Sequence, residues 1–117
     1  MKSSGRNSSR HVDRFLEMMS AERGAAENSL QAYGRDLSHY LEFLQGRGVT
    51  LEAAASDTIR DYLASLEAHG FSRATAARRL SAVRQFHRFM YGEGIVAANP
   101  AAIVESPKSV RSLPQTL

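Results

Sequence analysis

Apolar residues recur along this chain at i, i+3, i+4 and i+7 in separate stretches, the spacing that gathers side chains on one face of an α-helix. Val12, Phe15, Leu16 and Met19 form the first stripe and predict a helix over about 11–22, stopped at Gly24. Leu30, Tyr33, Leu37, Tyr40, Leu41 and Leu44 predict a second over about 29–45, with Asn28 and Gln31 spaced as a capping box and Gly46 and Gly48 at its end. Ile59, Tyr62, Leu63 and Leu66 predict a third over about 57–69. Ser56 is placed to cap it, Asp57 and Asp61 suit the positive end of its dipole, and His69 and Gly70 close it. Ala76, Leu80, Val83 and Met90, extended by Phe86, predict a fourth over about 73–91, capped by Ser72 and broken by Gly92 and Gly94. Asn99-Pro100, an Asn cap followed by Pro at the first helical position, predicts a short fifth helix over about 100–105.

No stretch alternates apolar and polar residues between turn signals. The pattern therefore predicts an all-α fold, a four-helix orthogonal bundle plus a short fifth helix. Residues 1–10, rich in Ser, Gly and Arg, are expected to be a disordered tail, and 11–105 the folded domain. Residues 106–117, SPKSVRSLPQTL, carry two prolines and no periodicity; they read as a linker to a domain outside this sequence, which suggests one domain of a longer protein.

Composition narrows the class. There is no Cys, so neither disulfides nor thiolate metal sites are available. No apolar run approaches the roughly 18 residues of a membrane span, and the basic N-terminus lacks the apolar stretch of a secretory signal. A cytoplasmic protein with no membrane partner is expected.

Charge adds more. The net charge is +3, but residues 72–91 hold Arg73, Arg78, Arg79, Arg84 and Arg88 and no acid. A basic element on an otherwise slightly acidic domain suggests an oriented contact with a polyanion.

Catalytic chemistry is not in view. His11, His39, His69 and His87 are scattered without metal-ligand spacing and read as surface or boundary residues. Gly46-Arg-Gly48 and Gly92-Glu-Gly94 are too short for a phosphate loop. The carboxylates spread along helix faces with no evident buried pair. Tyr33, Tyr40 and Tyr62 lie on apolar stripes and belong to the core. No cofactor, no metal and no catalytic residue is expected in these 117 residues.

Two helix faces look suited to a ligand. On a wheel of 100° per residue, Arg78, Ser81, Arg84, Gln85 and Arg88, with Ala77, sweep out the side of the fourth helix away from Leu80, Val83 and Met90. Long cations beside small residues let a helix enter a groove while the cations reach phosphates or guanine edges. Arg79 falls nearer the apolar side. On the second helix, Gln31, Gly34, Arg35 and Ser38 share one sector. Gly34 costs roughly 1 kcal/mol against Ala in a helix, so it marks either close approach of a ligand or tight helix packing.

These segments resemble a known family. Asn28-Ser-Leu-Gln-Ala-Tyr-Gly-Arg-Asp-Leu37, continuing to Tyr40-Leu-Glu-Phe-Leu44, is similar to the second helix of the N-terminal core-binding (SAM-like) domain of tyrosine recombinases, the phage integrase family. Thr75-Ala-Ala-Arg-Arg-Leu-Ser-Ala-Val-Arg-Gln-Phe86 resembles the fourth helix of that module. Asn99-Pro100, Ser106-Pro-Lys108 and Leu113-Pro114 resemble its fifth helix and its exit toward the catalytic domain. The likeness covers about residues 10–117 and lies nearest the XerD/XerC group, which resolves chromosome dimers, slightly on the XerD side.

The resemblance implies a helical domain on one face of double-stranded DNA, with a C-terminal domain closing a clamp around the other. It implies a homologous or paired recombinase protomer as partner in a synaptic tetramer. It marks Gln31, Arg35 and Ser38 on one helix, and Thr75, Arg78, Ser81, Arg84 and Arg88 on the other, as DNA-contact candidates, to which the basic run adds Arg73. Gly34 departs from the longer polar or basic residue often found at its place. The family's catalytic Arg, Lys, His and Tyr belong to the other domain, so this segment is not itself an enzyme. His11-Val-Asp-Arg14 has the His-x-x-Arg spacing, but it sits on the amphipathic first helix and is rejected. A competing reading is a helical protein-interaction module whose Arg face binds an acidic partner.

Overall fold

A computed structural model describes residues 2–104, with side chains from Ser8 onward. Its elements are α1 (Lys2–Arg23), α2 (Glu27–Arg47), α3 (Ser56–Ala68) and α4 (Arg73–Gly92), with no strand among the described residues. The all-α expectation holds, and the stripes are the core. Val12, Phe15 and Met19 of α1, Leu37, Tyr40 and Leu44 of α2, Ile59, Tyr62 and Leu66 of α3, and Ala76, Leu80, Val83, Phe86 and Met90 of α4 are all buried. Phe15 anchors the junction, meeting Tyr33, Phe86 and Phe89 edge-on at centroid distances of 6.1, 5.7 and 5.7 Å.

The ends follow turn chemistry. Gly48 takes a left-handed conformation (φ 70°) that only glycine adopts cheaply. There the Val49 N–H reaches back to the Leu44 carbonyl at 2.9 Å, closing α2. The Ser72 hydroxyl caps α4 as expected, accepting the Thr75 N–H at 3.1 Å.

Four expectations need correction. α1 begins at Lys2, not near residue 11, so the backbone of residues 2–10 is helical rather than a loose tail. Ser8, four residues before Val12, carries the stripe one turn upstream and sits near Leu41, Leu44 and Val49; being polar, it gave no hydrophobic signal. α2 starts at Glu27 behind Ala26, without a side-chain cap from Asn28. Ser56 is not a cap but the first helical residue. Thr58 Oγ1 takes the Ala55 N–H at 3.2 Å, and the Ser56 hydroxyl donates to the Pro100 carbonyl at 2.8 Å. Finally, no fifth helix forms among the described residues. Residues 99–104 make successive turns, with Ala102 N–H to Asn99 O (3.2 Å) and Val104 N–H to Ala101 O (3.3 Å). Ala101 and Val104 are buried against the bundle, and side-chain anchors replace helical bonds there. Residues 106–117, expected as a linker, lie outside the described residues.

Candidate nucleic-acid interface

α4 presents its arginines in different states. Arg88 is exposed near Gln85 and Phe89, and Arg73 is exposed in the first turn beside a groove of about 770 Å³ lined by Phe71, Ile103 and Val104. Ser81 is exposed, 3.4 Å from Gln85 Nε2, which also donates to the Tyr33 hydroxyl on α2 at 3.3 Å. Thr75 is half-buried and accepts the Ser72 hydroxyl at 3.1 Å.

Arg78 and Arg79 converge on a carboxylate that pattern reading passed over. Asp36 of α2 is 3% exposed. Arg78 grips it side-on, Nη2 to Oδ1 at 2.8 Å and Nε to Oδ2 at 3.2 Å, while its own side chain stays 56% exposed. This bond raises the Arg78 pKa further. Arg79 lies 3.6 Å from the same Oδ1, an ion pair beyond hydrogen-bond reach, with its guanidinium 4.7 Å over the Phe71 ring. Its Nε and Nη1 are buried without a hydrogen-bond partner among the described residues. The signal was present: Asp36 stands three residues after Tyr33 and four before Tyr40, on the core sector of α2. A carboxylate on an apolar stripe demands a cation, and the Arg78-Arg79 pair supplies two.

Arg84 also departs from expectation. It is half-buried rather than an open cation, and it donates from Nε to the Ala101 carbonyl at 3.5 Å and from Nη2 to the Val104 carbonyl. The guanidinium thus does the work of the missing fifth helix, satisfying carbonyls of the terminal turns. Arg84→Ala is expected to lower stability by about 1.5–3 kcal/mol, the range for hydrogen bonds to a charged group. Urea unfolding measures it; an unchanged midpoint would show Arg84 to be free for a ligand after all.

On α2, Gln31, Arg35 and Ser38 are exposed, and they line an open groove of about 840 Å³ between α1 and α2. Asp13, Glu17 and Glu27 share it, and none of the α4 candidates does. The nine candidates therefore occupy two surfaces joined through the Asp36–Arg78 and Tyr33–Gln85 bonds. A methyl group on Gly34 would stand 3.5 Å from Leu16 of α1, ordinary contact, so packing does not require glycine there.

A second buried polar pair lies behind α4. His87, expected at a boundary, is fully buried, with Nε2 2.8 Å from the Tyr40 hydroxyl. Burial drops its pKa to about 4 and pushes that of Tyr40 up. The Tyr40 hydroxyl therefore shares its hydrogen bond with a neutral imidazole, whose Nδ1 has no partner among the described residues. His39 Nδ1 sits 3.0 Å from the Tyr62 hydroxyl, and burial lowers its pKa too. Burial likewise raises the Tyr62 pKa, with Arg79 pulling it back.

A four-helix domain built on these stripes defines a known class. Residues 12–94 match the family described as phage integrase, N-terminal SAM-like domain, and the chain belongs to it. It is 51% identical over 110 residues to the tyrosine recombinase XerD of Rhizobium meliloti (strain 1021), covering 94% of this chain and 35% of that protein. It is 46% identical over 113 residues to the XerD of Agrobacterium fabrum (strain C58 / ATCC 33970), covering 97% and 34%. With the XerD of Caulobacter vibrioides (strain ATCC 19089 / CIP 103742 / CB 15) it shares 51% over 106 residues, covering 91% and 35%. The chain spans about a third of the length of these relatives. This is the family to which the segments at 28–44 and 75–86 pointed. Among the described residues no helix is long and apolar enough to cross a membrane.

Proposed function

We propose that this chain is the DNA-binding N-terminal domain of a site-specific tyrosine recombinase, holding one face of the duplex while a separate domain performs strand exchange. The observation that carries this reading is the acid-free run of 72–91 on α4, where Arg73, Arg78 and Arg88 remain exposed on a helix tied side by side to α2. In the full-length protein a tyrosine outside this segment attacks the phosphodiester and keeps its energy in a phosphotyrosyl link, so no external cofactor is needed. Partner protomers assemble with it in a synaptic tetramer, in the cytoplasm, in the service of chromosome dimer resolution. The segment alone neither cuts nor joins DNA.

Half a clamp binds weakly. Fluorescence anisotropy with a random-sequence duplex is expected to give micromolar or poorer dissociation constants that weaken steeply between about 50 and 200 mM salt. Arg88→Ala should flatten the logarithmic salt slope by about one unit, the signature of one phosphate contact. Salt-independent binding, or equal affinity for an acidic peptide of matched charge, would favour the protein-interaction reading instead.

A further inference from the structure

Arg78 differs from the other exposed arginines in how little freedom it has. A guanidinium offers five N–H donors in a plane. Asp36 takes the Nε–Nη2 side of that plane with two bonds, and it does so from a position 4% exposed, in the middle of α2, onto the second turn of α4. The opposite, end-on edge formed by Nη1 and the second Nη2 hydrogen has no acceptor among the described residues, although the side chain is half in solvent. Two consequences follow. The fork is held in one orientation before any ligand arrives, so ordering it costs little on binding. The carboxylate behind it offsets only part of its long-range pull on anions, because Arg79, 3.6 Å from the same oxygen, leaves the three groups with one net positive charge. A rigid pair of donors in one plane suits a ligand that offers two adjacent acceptors in fixed geometry. On duplex DNA that ligand is guanine, whose O6 and N7 face the major groove and pair with arginine bidentately.

We infer that Arg78, oriented by Asp36, reads a guanine edge in the major groove, while the exposed cation Arg88 serves the phosphates. Asp36 is then a positioning residue, acting on DNA only through Arg78. The inference rests on the DNA-binding reading above and adds to it the base that is recognised.

The test is selection from a duplex library with randomised positions, followed by sequencing, with the wild-type chain, R78K and D36N. Wild type is expected to enrich guanine at one position. R78K keeps a positive charge but cannot form the fork, and should reduce that enrichment at least about fivefold. D36N should reduce it in the same direction, since the fork loses its orientation. The salt slope, which counts charge rather than geometry, should fall less in R78K than in R88A. If R78K retained the guanine enrichment, or lost it only with a slope change as large as that of R88A, Arg78 would be a phosphate contact and the inference would be overturned. Wild type binding DNA without guanine enrichment would overturn it too, leaving the proposed function standing. Absence of any DNA binding by wild type would remove both. Should D36N fail to fold, R78K decides alone, because its stem is solvent-exposed.

Discussion

Asp36→Ala is expected to cost the domain about 3 kcal/mol or more, a large part of the 5–15 kcal/mol that holds a domain of this size together. The two arginines contribute unequally to that loss. Arg78 is 56% exposed and can turn into water once its partner is gone. Arg79 cannot: its side chain is 15% exposed, and Nε and Nη1 already lack hydrogen-bond partners among the described residues. Without Asp36 its charge would be left with the Phe71 face and the Tyr62 neighbourhood alone. Breaking a buried pair from one side is costly for this reason, whereas replacing both sides by apolar groups often is not. The double variant Asp36→Ala/Arg79→Leu should therefore recover part of the loss. Urea unfolding with an unchanged m-value measures both. A single-variant loss below about 1 kcal/mol would mean that water reaches Arg79 and that the pair is a surface one.

Acid should weaken the fold well before its carboxylates protonate. His87 binds a proton near pH 6.5 when unfolded and only near about 4 when buried. Between those values the unfolded chain holds more protons, so stability rises with pH across this window and is lost as pH falls through it. At about 1.4 kcal/mol per pH unit, stability at pH 5 should lie about 2 kcal/mol below that at pH 7. His39, whose pKa burial also lowers, acts in the same direction. His87→Gln keeps a hydrogen-bond partner for the Tyr40 hydroxyl but removes the titration. Denaturation at the two pH values should show most of the acid loss disappear in that variant. An equal loss in wild type and variant would place the acid sensitivity elsewhere.

The helices were legible because their signal is redundant: four stripes each repeat the 3.6-residue period several times, and a single misread residue changes little. The candidate site was legible only as a list of cations, because a basic run shows in sequence whereas the partner of each cation does not. Asp36 and His87 sit on apolar stripes, where a polar letter reads as an interruption rather than as a buried group with a partner 42 or 47 residues away. The contacts of Arg84 are hidden in the sequence for the opposite reason. Its wheel position is open, but a segment 17–20 residues downstream folds back over it. The fifth helix failed on similar grounds. Asn99-Pro100 begins a turn as chemistry dictates, but Ala101 and Val104 gain more from burial under the Arg84 anchor than a single helical turn could return.

That anchor also sets a load path. The Val104 carbonyl is held by Arg84, four residues after the Pro100 carbonyl is held by Ser56. A tug arriving from downstream is therefore shared between the middle of α4 and the first turn of α3, and it is taken up there before it can lever α4 away from α2.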